Sequence, residues 1–365
     1  MRRLSSTVAR LTALRKGIIP PGNGSSRLTD TAFGPNPGAL VAKTYIPANL
    51  APGAPLVVVL HGCTQDAALY GRGSGWSRLA DRHGFALLFP EQERGNNFNL
   101  CFNWYQAADA RRGRGEAASI AGMIAQTVKS HRLDPARVYI NGLSAGGAMT
   151  MVMLACYPEL FAGGAVIAGL PFGVAEGVPD ALEAMRGQSL PSRRALAASI
   201  ASASDYRGPW PSLSVWHGTA DHVVSSANAG AIVDQWRDRI GLGRVEGQRD
   251  QVDGQRRTIW RDAKGKIAIE RYDIAGMGHG TPLATRGGAA CGEAGPHMLE
   301  AGICSTSRLA ESWGIATGAQ TPRQISPRHL APNQPAPNVT PPPVAPQSGV
   351  GAVIEDALRA AGLMR

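Results

Sequence analysis

Three side chains have the types and the chain order needed for nucleophilic chemistry: Ser144, Asp221 and His279. Ser144 is the centre of Gly142-Leu143-Ser144-Ala145-Gly146, a Gly-x-Ser-x-Gly pattern. A serine hydroxyl is a poor nucleophile at its own pKa. It needs a base to take its proton, and the base needs a carboxylate to orient it. A serine on a tight strand-to-helix turn has its hydroxyl pushed out towards a substrate. The flanking glycines let the backbone bend and the next helix pack closely. That helix would aim its N-terminal N–H groups at the spot where an oxyanion forms. The same pattern also occurs as a plain Gly/Ser-rich turn, so its surroundings must decide.

The elements around these residues read as strand ends. Val138 to Ile140 is a short buried strand before Ser144, and Ala145 to Cys156 is an apolar helix after it. Asp221 follows the strand Leu213 to Trp216, and His279 follows the strand ending at Ile274, inside Gly276-Met277-Gly278-His279-Gly280. Ser, Asp, His, each after a strand, is the order of the α/β-hydrolase fold. Asp221 has a second reading as a helix cap near Ser225, with Asp273 and Asp205 as the other carboxylates. His222 would point elsewhere, His217 reads as structural, and His83 and His131 sit at helix ends. Two backbone N–H groups are expected to form an oxyanion hole. One belongs to Ala145; the other comes from His61-Gly62-Cys63-Thr64, where Cys63 is the choice and Thr64 the alternative. Trp104 offers an apolar wall for substrate, or else plain core packing.

Taken in order, the chain alternates buried strands with helices. Residues 1–34 are a basic amphipathic helix (Leu4, Val8, Leu11, Leu14) and a connector whose Pro/Gly/Ser-rich part runs over 19–37. Strands are expected at Ala39–Ile46, Leu56–Leu60, Phe85–Phe89 (ended by Pro90), Gly164–Ala168, and in a final hairpin of Thr258–Arg261 and Ile267–Ile274. Helices are expected at Trp76–His83, Glu116–His131 and Ala227–Ile240, with a last one around Leu309–Trp313. Residues 91–114 form a long loop of the kind that builds sites. An insertion at 170–208, with one polar helix, reads as a cap or lid. This predicts one doubly wound, mostly parallel sheet over 35–317. Beyond it lie a linker at 318–349, nine of whose residues from 322 to 346 are proline, and a short helix at 350–365.

Composition narrows the partners. The 365 residues are 44% hydrophobic and 18% charged, with a formal charge of +10. The arginines are scattered, and no basic segment is interleaved with aromatics, so nucleic acid is not expected. No run is long enough to span a bilayer. No glycine-rich turn carries a lysine for phosphates, and no cysteine pair has metal spacing, so neither cofactor nor metal is expected. Cys291 and Cys304 can pair across a Gly-rich loop, as can Cys63 and Cys101; Cys156 reads as a buried free thiol. Two disulfides imply an oxidising compartment. The N-terminus has no continuous apolar stretch of a signal peptide, which points to the cytoplasm instead.

Several segments, in order over residues 35 to 316, resemble the poly(3-hydroxybutyrate) depolymerase family of esterases, relatives of feruloyl and acetylxylan esterases. They are LHGCTQ (60–65), CFNW (101–104), RGEAASI (114–120), YINGLSAGGAMT (139–150), YPELFAGGAVIAGLPFG (157–173), WHGTADHVV (216–224) and GMGHGTPL (276–283). The resemblance implies an α/β-hydrolase fold, a triad of Ser144, Asp221 and His279, and ester hydrolysis through an acyl-enzyme. It also implies secretion, as in many members. The expected substrate is a poly- or oligo(3-hydroxyalkanoate). The alternatives are a feruloyl or acetyl-polysaccharide ester or, in another class, a non-catalytic protein that binds a polymer or granule surface through its basic N-terminal helix and its C-terminal tail.

Overall fold

A computed structural model describes residues 27–316 except 49, 288 and 289. The N-terminal helix expected at the start of the chain, the Pro-rich linker at 318–349 and the helix at 350–365 lie outside the described residues.

Among the described residues, ten strands form one sheet in the order β1-β2-β4-β3-β5-β6-β7-β10-β9-β8. They are β1 (Thr29–Asp30), β2 (Val41–Tyr45), β3 (Leu56–Leu60), β4 (Ala86–Glu91), β5 (Val138–Leu143), β6 (Gly163–Ile167), β7 (Ser212–Gly218), β8 (Gln248–Val252), β9 (Gln255–Arg261) and β10 (Ile267–Ile274). From β4 across to β10 every pairing is parallel; both edges are antiparallel. Two further strands, β11 (Thr281–Leu283) and β12 (Met298–Glu300), pair beside it.

The central strands are apolar throughout because both faces are covered. In β3, Leu56, Val58 and Leu60 enter one apolar cluster, while Val57 and Val59 enter the other on the opposite face. The first cluster packs against helices Gly115–His131 and Ala145–Cys156; the second takes in Tyr70, Trp76 and Leu79 and closes with Trp313 stacked between Trp76 and Tyr139.

Several elements differ from the sequence expectation. The sheet begins at Thr29, inside the stretch that reads as connector, because Thr29 and Asp30 pair with Thr44 and Lys43. Pro90 lies within β4 instead of ending it. Pairing with β3 stops at Leu88, so the donor that Pro90 lacks is not needed on that side. Helix Ala67–Ser74 (AALYGRGS) carries no clear helical signal, since two glycines weaken it. It forms because Asp66 caps it, accepting from Leu69 N–H at 2.7 Å, and because Ala67 and Tyr70 are buried. Strand β8 (QRDQV) is mostly exposed and polar, and only its pairing with β9 defines it. The insertion at 170–208 holds two helices, Val178–Met185 and Arg193–Ala203. Both are tied to helix Ala227–Arg239 and the segment before it. Gln235 Nε2 donates to the Phe172 and Leu196 carbonyls, and Ser225 N–H donates to Met185 O.

Candidate active site

Ser144 occupies the sharp turn between β5 and helix Ala145–Cys156. Its backbone is left-handed, with φ 56° and ψ −117°, a conformation that costs a non-glycine residue roughly 1–3 kcal/mol. The turn is held by Ser144 N–H donating to Ile167 O at 2.9 Å. The flanking glycines are required by close approach. A Cβ on Gly142 would lie 2.3 Å from Gly146 O, and one on Gly146 would lie 2.5 Å from both the Leu60 and His61 carbonyls. The elbow is thus pressed against the end of β3, where the His61-Gly62-Cys63-Thr64 segment begins.

Asp221 and His279 come from loops after neighbouring parallel strands. Asp273 and Ile274 of β10 pair with His217 and Gly218 of β7. Beyond the strands the loops continue to bond: Thr219 N–H donates to Ile274 O at 2.9 Å, and Ala220 N–H to Met277 O at 3.0 Å. Gly218 lets them cross, because a Cβ there would lie 2.2 Å from Met277 O. The outcome is a 2.8 Å bond between His279 Nδ1 and Asp221 Oδ2. A carboxylate only accepts, so Nδ1 carries the proton and Nε2 is left as the basic nitrogen.

Asp221 is fully buried, yet well supplied with donors. Val223 and Val224 N–H each donate to its Oδ1 at 2.9 Å, and His217 Nε2 lies 3.4 Å from its Oδ2. Burial alone would push its pKa up; the bonds to His217, His279 and Val224 outweigh it and hold the carboxyl below its ordinary range. Asp221 does not cap the following helix, whose N-cap is Ser226. The other carboxylates are elsewhere: Asp273 pairs with Arg256 and Arg271, and Asp205 is exposed. His222 is exposed as well.

One cavity of about 270 Å³ is lined by Ser144, Ala145, His279, Gly62, Cys63 and Thr64 together. Thr64 N–H donates to Asn99 O at 2.7 Å, so it is already engaged, whereas no acceptor competes for Cys63 N–H among the described residues. Of these two N–H groups, that of Cys63 is the free one among the described residues. The segment is pinned from beneath. Gly62 N–H donates to Gln65 Oε1 at 2.9 Å. Buried His61 accepts from Gln92 N–H at Nε2 and is therefore protonated at Nδ1, which donates to Gly62 O at 2.8 Å. Burial pulls the His61 pKa down to about 4, so this link stays neutral.

The opposite wall is the 91–114 loop, and buried Glu116 organises it. Its carboxyl accepts from Gln92 Nε2, Asn96 Nδ2, Asn103 N–H and Asn103 Nδ2 at 2.6–3.3 Å. Burial raises the Glu116 pKa to about 8, against the pull of those donors. The loop presents Trp104, which is 8% exposed and lines the cavity, and Phe98, which lines it while 66% exposed. The Cys63–Cys101 disulfide ties this wall to the Cys63 segment. Cys291–Cys304 is the second disulfide, and Cys156 is a buried free thiol.

Sequence reading overlooks several cavity or supporting residues. His217 reads only as structural, although its spacing from Asp221 in WHGTAD was a usable signal. Glu116 lies in a helix start, where an acidic residue is ordinary. Leu182, Met185 and His297 line the cavity from segments with no motif.

A family model described as "Esterase PHB depolymerase" matches residues 40–259. The chain is 40% identical over 326 residues to poly(3-hydroxyalkanoate) depolymerase C of Paucimonas lemoignei, covering 86% of this chain and 78% of that one. It is 32% identical to feruloyl esterase B of Talaromyces stipitatus, over 74% of this chain and 77% of that one. The acetyl xylan esterase structure from Aspergillus awamori superposes with a TM-score of 0.66 at 26% identity, covering 80% of this chain and all of the other. Fold and relatives together define a carboxylic-ester hydrolase of the serine type on an α/β-hydrolase fold. The chain belongs to the esterase PHB depolymerase family.

Proposed function

We propose that Ser144, His279 and Asp221 form a catalytic triad that cleaves 3-hydroxyalkanoate esters through an acyl-enzyme. The observation that carries this reading is the His279–Asp221 bond of 2.8 Å, made in a cavity that Ser144 also lines. Ser144 Oγ attacks the ester carbonyl carbon as its proton passes to His279 Nε2. Asp221 holds Nδ1–H and favours the imidazolium that forms. The oxyanion accepts from Cys63 and Ala145 N–H, each donor being worth about 3–4 kcal/mol of barrier. When the intermediate collapses, the carbonyl carbon–alkoxide bond breaks and His279 returns the proton to the alkoxide. Water then repeats the sequence on the acyl-serine, releasing the acid and restoring Ser144 Oγ–H.

The named relative of Paucimonas lemoignei supports hydroxyalkanoate esters as the substrate class. The cavity is at the small end of ligand pockets, roughly 300–1,000 Å³, which suits the units next to the scissile bond, with Trp104 as an apolar wall. The catalytic unit is assigned to 35–317, with the two helices of 170–208 as its cap. The two disulfides support an oxidising, secreted or periplasmic setting. Contact of residues 1–18 with a polymer surface is a separate role, read by sedimentation with polymer after their deletion.

A fluorophosphonate probe is expected to label Ser144 and abolish turnover. Undiminished esterase activity in Ser144→Ala would sink the triad. A panel of hydroxybutyrate oligomers, acetylated xylan and feruloyl esters reads the substrate class, and hydroxybutyrate oligomers are expected to turn over fastest.

A further inference from the structure

The cavity contains a second histidine that the triad does not use. His297 lines the same space as Ser144 and His279, with its ring 5.8 Å from that of His279 and nearly perpendicular to it. Its placement is built rather than incidental. The backbone there is left-handed (φ 59°), and Thr281 N–H donates to its carbonyl at 2.8 Å. The Cys291–Cys304 disulfide ties down the loop that carries it.

Its hydrogen bonds determine its tautomer. His297 Nδ1 lies 3.2 Å from His279 O, and a carbonyl can only accept. Nδ1 therefore carries the proton. Burial lowers the pKa of the ring, which keeps it neutral and leaves Nε2 as a bare acceptor. Nε2 has no partner among the described residues. The amide oxygens of two other cavity side chains are already in use: Gln65 Oε1 accepts from Gly62 N–H, and Asn97 Oδ1 from the Asn99 and Cys101 N–H groups.

A neutral acceptor beside the reacting centre selects for a donor on the substrate. We infer that His297 Nε2 accepts a hydrogen bond from the free hydroxyl of a 3-hydroxyacyl unit, so that hydroxyacyl esters are preferred over their deoxy analogues. In a hydroxyalkanoate dimer the sole free hydroxyl lies on the acyl side, which stays bound through the acyl-enzyme. The inference rests on the proposed triad and adds a specificity-determining residue to it.

The test compares p-nitrophenyl 3-hydroxybutyrate with p-nitrophenyl butyrate on the full chain. For His297→Phe, kcat/KM on the hydroxy ester is expected to fall about tenfold, while the plain ester stays within about twofold. His297→Gln, whose amide oxygen still accepts, is expected to recover part of the preference. Equal losses on both esters would show a packing role and overturn the inference. So would an unchanged ratio, and both outcomes leave the triad standing. If the wild-type protein turns over neither ester and Ser144 resists the fluorophosphonate, the triad itself fails and this assignment falls with it.

Discussion

The two walls of the cavity are built by different physics. The Asp221–His279 wall is made of short loops at the ends of two neighbouring parallel strands. Backbone bonds run directly from one loop to the other, and only the final bond, His279 to Asp221, is between side chains. The facing wall, residues 91–114, is a long loop with little regular structure. Side chains hold it: the Glu116 carboxyl, the amides of Gln92, Asn96 and Asn103, and a disulfide to the Cys63 segment. The difference separates chemistry from scaffolding. On the first wall, backbone bonds carry the contact between the loops. On the second, the residues that place Cys63 and Trp104 also keep the loop folded.

Four experiments press on that contrast. The largest effect is expected from Asp221→Asn, which leaves the backbone bonds in place but removes the carboxylate that holds the His279 tautomer. Its kcat should fall about 10⁴-fold with a melting temperature within a few degrees of wild type. Steady-state kinetics and calorimetry on one preparation read both. A collapse of the melting temperature would show that this wall, too, depends on its side chains.

Next comes a comparison of the two disulfides. Replacing Cys63 and Cys101 by serine frees a 38-residue separation, worth about 4 kcal/mol in the chain-entropy view, against about 3 kcal/mol for the 13-residue separation of Cys291 and Cys304. On the proposed oxyanion role of Cys63 N–H, the first pair should also lose activity at temperatures where the variant is still folded. Loss of activity on the plain ester in the second pair alone would reverse the assignment.

Glu116→Ala removes an acceptor shared by four N–H donors; Gln92 Nε2 and Asn96 Nδ2 keep others, but Asn103 N–H and Nδ2 lose theirs. It should cost about 3 kcal/mol, a drop of roughly 10 °C in melting temperature, with a smaller loss of kcat. Wild-type stability in Glu116→Ala would mean that the disulfide alone holds the loop.

The last test is one of pH. Burial raises the Glu116 carboxyl from its ordinary 4.5 to about 8. Between those values the folded protein keeps a proton that the unfolded chain has released. Stability should therefore fall as pH rises through that window and level off on either side. Glu116→Gln should flatten the slope in denaturant titrations run from pH 4 to 9, and an unchanged slope would assign it to another group.

Much of the first wall was legible in sequence, because strand, short loop and functional residue are contiguous there. VYINGLSAGG, WHGTAD and GMGHG each place one of Ser144, Asp221 and His279 within a few residues of the end of an apolar strand. Cys63 and Thr64 stood as alternatives in the sequence, since both follow the same strand. The bond from Thr64 N–H to Asn99 O separates them, and it joins residues 35 positions apart, beyond the reach of any local pattern. His217 lies only four residues before Asp221, whereas Glu116 and His297 were missed for the same reason. Their partners, or the cavity they line, come from elsewhere in the chain, and their own neighbours look like an ordinary helix start and loop.

The amino-acid order by itself determined the fold class, the Gly-x-Ser-x-Gly turn and the Ser, Asp, His succession. These depend on hydrophobic period and on glycines next to the residues concerned. The tertiary structure alone decided which N–H groups are free, which tautomer each histidine holds and that a second histidine enters the cavity. Those depend on what each polar atom meets when distant segments close around it, and a hydrogen bond is specified by both of its ends.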